Sequence, residues 1–248
     1  VVISGDGSGS FNQTSGTGTY TFNVATATAQ GIRLAITRSN AANNVKNIRV
    51  ILPGFAGTYQ TQPFYPPFLD KLRGFKVLRL MNWNRTNGSV TTTWAQRTPQ
   101  NFASQTRGNG VAYEYSIALA NALGTDLWFN IPHAADDAYV TNLAQLLSDN
   151  FTNSNLKIYV EYSNELWNGS FAQKAYVQSQ GAGLSSNPET AGHYYTAKRS
   201  AEIFKLFEDR FGVNSTRLVK VLGAQWGSTS VATDILTAFG QSSINSSG

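Results

Sequence analysis

The sequence has no cysteine, one methionine and only two histidines among its 248 residues. The lack of cysteine excludes disulfides and cysteine metal sites, and two histidines give no credible metal centre, so we expect no bound metal. Charged residues make up only 13% of the chain, and its 19 lysines and arginines are scattered without a basic run. No nucleic-acid motif accompanies them, so we do not expect a nucleic-acid partner despite the net charge of +5.

Long apolar runs are also missing, because none reaches the ~18 residues that a membrane helix needs, so no membrane partner is expected. The glycine-rich run that begins at Gly5, GDGSGS, has no lysine and no following helical pattern. It is therefore not a phosphate-binding loop, and we expect no cofactor. The chain starts at Val1 without a methionine or a signal-peptide pattern, which we interpret as a mature or trimmed product.

Uncharged polar residues and aromatics take the place of charge. Aromatic residues make up 12% of the chain and include five tryptophans, and aromatic faces are the surfaces on which sugar rings stack. An uncharged polar surface is common in secreted carbohydrate-active proteins. Secretion as a glycoprotein is also favoured by seven N-glycosylation sequons, at Asn12, Asn84, Asn87, Asn150, Asn168, Asn214 and Asn245.

Two regions of different pattern divide the chain. Residues 1–45 are rich in glycine, serine and threonine with short alternating stretches, which predict a small N-terminal β element. Residues 46–248 alternate between strand and helix patterns, which predicts βαβ units around a parallel sheet. The predicted strands cover residues 47–53, 75–83, 126–133, 157–163 and 217–226; the predicted helices cover 67–73, 111–123, 136–148, 171–180, 188–211 and 230–239.

The stretch from Lys157 to Gly169, KIYVEYSNELWNG, is the most informative. Its first half alternates with the strand period of two, and Glu165 follows at the C-terminal end of the strand. In parallel α/β folds the chemistry lies at that end of the strands. We therefore predict that Glu165 belongs to a functional site, although a surface glutamate beside a packed tryptophan is the plain alternative.

This pattern resembles the fourth strand of clan A glycoside hydrolases, which are (β/α)8 TIM-barrel enzymes that cleave glycosidic bonds with retention. In that clan an Asn-Glu pair ends strand four, and here the pair is Asn164-Glu165. The resemblance implies that Glu165 is the general acid/base and that carbohydrate is the partner. It also implies a second glutamate, the nucleophile, at the end of strand seven. We count five strands where a closed barrel needs eight, so we expect a partial barrel that a missing C-terminal portion or self-assembly completes.

The resemblance extends to other strand ends, at the level of single residues. Asn164 would contact the 2-hydroxyl of the sugar, Arg79 on strand two would lie near the nucleophile, and His133 would end strand three. The remaining candidates for substrate binding are Trp83, Trp167, Gln225 and Trp226. The plain alternative is core packing for the three tryptophans, a hydrogen bond to a loop carbonyl for His133, and packing in a barrel layer for Arg79.

Glu161 is the other acidic residue of this strand. Four residues along a strand span about 13 Å. Carboxyl groups are about 5–5.5 Å apart in retaining enzymes and about 6.5–9.5 Å apart in inverting ones, so Glu161 is too far from Glu165 to be its catalytic partner. Buried carboxylates are seldom unpaired, and we predict that Glu161 pairs with Arg79.

Two functions remain in view. The first is a secreted retaining hydrolase of a β-linked polysaccharide with Glu165 as general acid/base. The second is a non-catalytic extracellular glycoprotein, sugar-binding or structural, built on part of a hydrolase barrel. A fold does not decide between them.

Overall fold

The computed structural model describes residues 1–10, 18–24, 26–106 and 108–241, which belong to two units, Val1–Pro63 and Phe64–Gly248. Two of the sequon asparagines, Asn12 and Asn245, lie outside the described residues. In the described part of the chain, no helix combines the length and the apolarity that a membrane crossing requires.

The first unit contains a small antiparallel sheet. Its strands are β1 (Val2–Gly5), β2 (Gly9–Ser10) and β3 (Ile32–Ala35), in the order β2-β1-β3. The predicted strand at 47–53 is wrong, because this segment forms no ladder with the described residues of the unit. Its alternating Ile48, Val50 and Leu52 are more than half exposed, so the strand-like pattern here lacks the neighbouring strand that stabilises such a pattern.

The second unit has a four-stranded parallel sheet with strands in the order β4-β5-β6-β7. The predicted α/β class is confirmed, but the sheet has four strands rather than five, and the described residues form no closed barrel. The strands are β4 (Val77–Arg79), β5 (Asp126–Ile131), β6 (Ile158–Tyr162) and β7 (Leu218–Val221); the helices are α1 (Pro66–Leu72), α2 (Tyr113–Leu123), α3 (Asp137–Asn150), α4 (Ala172–Gln180), α5 (Pro188–Phe211) and α6 (Thr229–Gly240).

Local signals explain where several helices begin and end. The carboxylate of Asp136 accepts a hydrogen bond from the backbone N–H of Tyr139 at 2.6 Å and so caps α3. Asn187 caps α5 in the same way, by accepting from Glu189 N–H at 2.8 Å, and Pro188 occupies the first turn, where its missing N–H costs nothing. Helix α2 ends at Gly124 in the left-handed conformation.

The two faces of the parallel sheet differ in chemistry. Because the period along a strand is two, Leu127, Phe129 and Ile131 share one face of β5, and all three are buried in the main core. Strand order follows chain order, so right-handed crossovers place the connecting helices on that face. The opposite face carries polar and aromatic side chains instead: Arg79, Trp128, Asn130, Tyr159 and Glu161.

Candidate functional site

Glu161 is the centre of the polar face. It is 5% exposed, and its Oε2 accepts hydrogen bonds from Arg79 Nη2 at 2.8 Å, Trp128 Nε1 at 2.9 Å and Asn130 Nδ2 at 2.7 Å. The predicted pairing of Glu161 with Arg79 is therefore confirmed. Three neighbouring strands contribute to this group, which we call the Glu161 cluster: Arg79, Trp128, Asn130 and Glu161.

A close backbone approach completes the cluster from β7. A Cβ placed on Gly223 would lie 2.8 Å from Oε1 of Glu161, which is too close for a non-bonded contact. The glycine lies two residues beyond the end of β7 and leaves room for the carboxylate. The Arg79 guanidinium also lies over the Trp128 ring, with its carbon 5.1 Å from the ring centroid, so that it is held by charge and by a cation–π contact together.

Asn164 joins the cluster to the loop that follows β6. Its Oδ1 accepts from Arg79 Nη2 at 2.9 Å, and its Nδ2 donates to Asn87 Oδ1 at 3.0 Å. A flipped amide would set its NH₂ against the guanidinium, so the two neighbours fix its orientation. The structure thus brings together Arg79 and Asn164, two residues that the sequence assigned to one site.

The backbone of this loop is strained. Ser163 and Glu165 have positive φ angles of 55° and 43°, in a region that residues other than glycine seldom occupy. Ser163 is fully buried, and its hydroxyl has no hydrogen-bond partner among the described residues. Strain of this kind concentrates at sites where a side chain must be presented in one direction. Here the side chain between solvent and core is that of Glu165, which is half-buried.

We expect Ser163→Gly to raise the free energy of unfolding by about 1 kcal/mol, because glycine adopts a positive φ without strain and the change removes an unpaired buried hydroxyl. Urea unfolding of both proteins measures the difference. A variant that is less stable than the wild type would show that the hydroxyl is satisfied in solution and that the loop is not strained.

The side chain of Glu165 makes a single hydrogen bond among the described residues. Its Oε2 accepts from Asn168 Nδ2 at 2.8 Å, and its backbone carbonyl accepts from Asn168 N–H at 2.9 Å. Among the described residues, no cation forms an ion pair with it. Leu166, which follows it, is buried in the main core and anchors the loop. Glu165 is therefore a half-buried carboxylate with one neutral side-chain donor, three residues beyond the end of β6.

The other acidic residues are engaged elsewhere. Two of them lie after the C-terminal end of β5, where Asp136 caps α3 and Asp137 pairs with Arg199 at 2.6 Å. The sequence holds 14 acidic residues, and the remainder lie away from the C-terminal ends of the parallel strands. These residues are Asp6 in the first unit, Asp126 at the start of β5, and Asp70, Glu114, Asp149, Glu189, Glu202, Glu208, Asp209 and Asp234 on helices.

His133 lies two residues beyond the end of β5 and is 7% exposed. Its backbone carbonyl accepts from the hydroxyl of Tyr162 at 2.8 Å, and its ring packs edge-on against Tyr176. Its Nδ1 has no partner among the described residues. Beside it lies an open depression of about 540 Å³, whose lining includes Tyr176, Tyr195 and Arg199. His133 does not line this depression itself but contacts it through Tyr176.

Burial lowers the pKa of His133 below its ordinary value of 6.5. The unfolded chain then binds the proton more readily, so the stability that the neutral imidazole contributes is complete above about pH 6.5 and is lost as the pH falls through the lower folded pKa. We expect the free energy of unfolding of His133→Asn to fall less than that of the wild type as the pH is lowered below about 6.5. Urea unfolding of both proteins from about pH 8 to pH 5 measures the difference, and parallel pH curves for the two proteins would contradict the prediction.

The tryptophan candidates fall into two groups. Trp83 is half-buried against the main core, and Trp167 packs against a second cluster of Ala197, Val231 and Ile235. Trp226 is 99% exposed beyond the end of β7, next to the exposed Gln225. In the described part of the chain, no hydrogen bond or ring contact joins Gln225 or Trp226 to Glu165. Their roles in substrate binding stay predictions, as do those of Trp83, Trp167 and His133.

The sequon asparagines differ in accessibility. Asn84 is 7% exposed, and its Nδ2 donates to Val111 O and Ser116 Oγ, so the folded structure leaves no room for a glycan there. Asn87 and Asn168 are half-buried and lie in the site loops. Asn150 and Asn214 are exposed on the surface. Glycosylation remains a prediction, and among the five asparagines that the structure describes, Asn150 and Asn214 are the ones whose surroundings suit it.

Four residues of the site were missed by sequence reasoning. Trp128 and Asn130 were marked by their alternation in an otherwise apolar strand, which places both on the polar face. Asn87 and Gln173 could not be recognised in this way, because an amide side chain in a loop or on a helix is normally expected to be exposed to solvent. No protein-family model, curated protein or solved structure matches the chain.

Proposed function

We propose that this protein is a secreted retaining glycoside hydrolase that acts on a β-linked polysaccharide, with Glu165 as general acid/base. The observation that carries the proposal is the position of Glu165: half-buried, without a cation partner, at the C-terminal end of a parallel strand, directly after Asn164, which Arg79 orients. Because no strand forms at residues 47–53, Asn164-Glu165 follows the third strand of the described sheet rather than the fourth, and the resemblance to clan A rests on the Asn-Glu pair itself.

The sheet order supports a (β/α)8 barrel as the parent fold. The order β4-β5-β6-β7 advances in one direction, whereas a doubly wound sheet reverses direction at a switch point. In a closed barrel the polar face would become the interior, and the Glu161 cluster would lie beneath the catalytic level. Further strands would cover this face and supply the nucleophile.

In the proposed reaction, Glu165 donates its proton to the glycosidic oxygen as the bond to the leaving sugar breaks. A second carboxylate attacks the anomeric carbon and forms a glycosyl ester. Glu165 then takes a proton from water as the water oxygen attacks the same carbon and releases the carboxylate. Asn164 holds the 2-hydroxyl, and Asn168 holds Glu165 in place through one neutral hydrogen bond.

The test is incubation of the full-length native protein with β-glucan, β-mannan and β-xylan, followed by ¹H NMR of the first product. Release of product with the β anomeric configuration is expected for a retaining enzyme. A product of α configuration contradicts retention, and the absence of cleavage on every polymer contradicts hydrolysis of these substrates.

A second candidate is a non-catalytic, sugar-binding or structural extracellular glycoprotein. It is favoured because the described residues provide no second carboxylate that could act as the nucleophile beside Glu165. A fully exposed Trp226 also suits a binding platform. This candidate predicts binding of the same polymers without cleavage, together with a fall in mass after enzymatic deglycosylation at sites such as Asn214.

A further inference from the structure

Helix α4 buries a glutamine completely. Gln173 has no exposed surface, although it lies in the first turn of the helix, between the exposed Ala172 and the half-buried Lys174. Burying an unpaired amide costs about 1–3 kcal/mol in proteins, so an apolar residue would fill this position at lower cost. The side chain must therefore be held by specific partners.

Those partners belong to the two loops of the candidate site. Gln173 Nε2 donates to Asn87 Oδ1 at 2.8 Å and to the backbone carbonyl of Asn164 at 2.9 Å, while its Oε1 accepts from Gly88 N–H at 3.0 Å. Both N–H groups and the carbonyl of the amide are used. One side chain thus ties α4 to the loop after β4 and to the loop after β6.

Asn87 extends the connection to the side chain of Asn164. Its Oδ1 accepts from Gln173 and also from Asn164 Nδ2 at 3.0 Å. Gln173 therefore holds Asn164 twice, at the backbone directly and at the side chain through Asn87. The held carbonyl lies between Ser163 and Glu165, whose strained backbone persists only where the surroundings fix it.

We propose that Gln173 is a positioning residue, which acts with Asn87 to hold the strained loop that presents Glu165. The catalytic part of this inference rests on the proposed function. Gln173 does not touch substrate in this mechanism; it fixes the direction in which Asn164 and Glu165 point. Loss of the amide is expected to loosen the loop while the packing of α4 is kept.

The main variant is Gln173→Met, which keeps the volume and removes all three contacts, and the matched control is Gln180→Met on the exposed side of the same helix. By NMR, hydrogen exchange of the Gly88 amide is expected to accelerate at least about tenfold in Gln173→Met, with shifted Asn164 side-chain amide signals. Gln180→Met is expected to leave both unchanged. Unchanged exchange and signals in a folded Gln173→Met protein would overturn the proposal.

A second pair of variants covers the case in which Gln173→Met does not fold. Asn87→Ala removes the shared acceptor, and Asn87→Asp keeps an oxygen at the same place. Shifted Asn164 side-chain signals in Asn87→Ala but not in Asn87→Asp would support the inference that Gln173 holds the Asn164 side chain through Asn87. Identical spectra for the two variants would overturn it.

Kinetics separates this inference from the proposed function. If the wild type hydrolyses a polymer, Gln173→Met is expected to lower kcat at least about tenfold with KM changed less than twofold, since ground-state binding is retained. Equal losses in Gln180→Met would overturn the positioning role. If the wild type cleaves nothing, the proposed function fails, and the NMR comparison alone decides whether Gln173 holds the loop.

Discussion

Replacing Glu165 by glutamine is expected to lower the rate of polysaccharide cleavage by about 10²–10⁴-fold, the usual contribution of a general acid/base. Glutamine has nearly the same shape and keeps an oxygen that accepts from Asn168 Nδ2. The amide cannot give a proton to the leaving oxygen or take one from water. Affinity for the polysaccharide is therefore expected to stay within about threefold, because only a transition-state interaction is removed.

The control for this substitution is Glu189→Gln, which makes the same chemical change on the exposed start of α5. Initial rates and equilibrium binding are measured on the same polymer for the wild type and both variants. Glu165 is not the acid/base if Glu165→Gln keeps the wild-type rate. Urea unfolding of Glu165→Gln is expected to agree with the wild type within about 0.5 kcal/mol, which separates lost chemistry from lost folding.

Most of the second unit could be predicted from local pattern. The helices α2, α3 and α5 were predicted because signals for their ends lie in the sequence itself: Gly124 after α2, Asp136 or Asp137 at the start of α3, and Pro188 and Gly212 at the two ends of α5. Strand β6 was predicted because its period of two is uninterrupted. The pairing of Glu161 with Arg79 followed from a rule of burial, since a carboxylate inside a sheet needs a cation.

The wrong strand predictions share one cause, which is that a strand forms only where a neighbouring strand pairs with it. Residues 47–53 have the composition and alternation of a strand, but the ladder that would hold them is absent from the described part of their unit. Strand β4 is three residues long where nine were predicted, and the chain turns at Met81. The burial of Gln173 is a separate case, because it depends on Asn87, which is 86 residues away in sequence, as well as on the nearby Asn164.

The largest effect on stability is expected at the pair of Arg79 and Glu161. We expect Arg79→Met to lower the free energy of unfolding by about 3–5 kcal/mol, because it leaves the Glu161 carboxylate buried with only neutral donors, Trp128 and Asn130. Glu161→Gln is expected to cost less, about 2 kcal/mol, because the side chain of Arg79 is 33% exposed and water can solvate it.

A double-mutant cycle separates the pair from its surroundings. The variant that carries both changes is expected to be more stable than the sum of the single losses predicts, by about 1–3 kcal/mol. The control cycle uses Arg73→Met and Asp70→Asn, a pair whose side chains are 71% and 64% exposed and whose coupling is expected to stay below about 1 kcal/mol. Urea unfolding of all variants at one pH gives both cycles.

The two single variants are expected to lose different amounts of unfolding free energy. If burial sets the energetics, leaving the Glu161 carboxylate without its cation costs more than leaving the one-third-exposed Arg79 guanidinium without its anion. The difference between the two losses measures how well the polar face excludes water. Equal losses, or a coupling no larger than that of Arg73 and Asp70, would mean that water reaches Glu161 freely. The polar face would then be an open, hydrated surface, and Arg79 would orient Asn164 far more weakly than the geometry indicates.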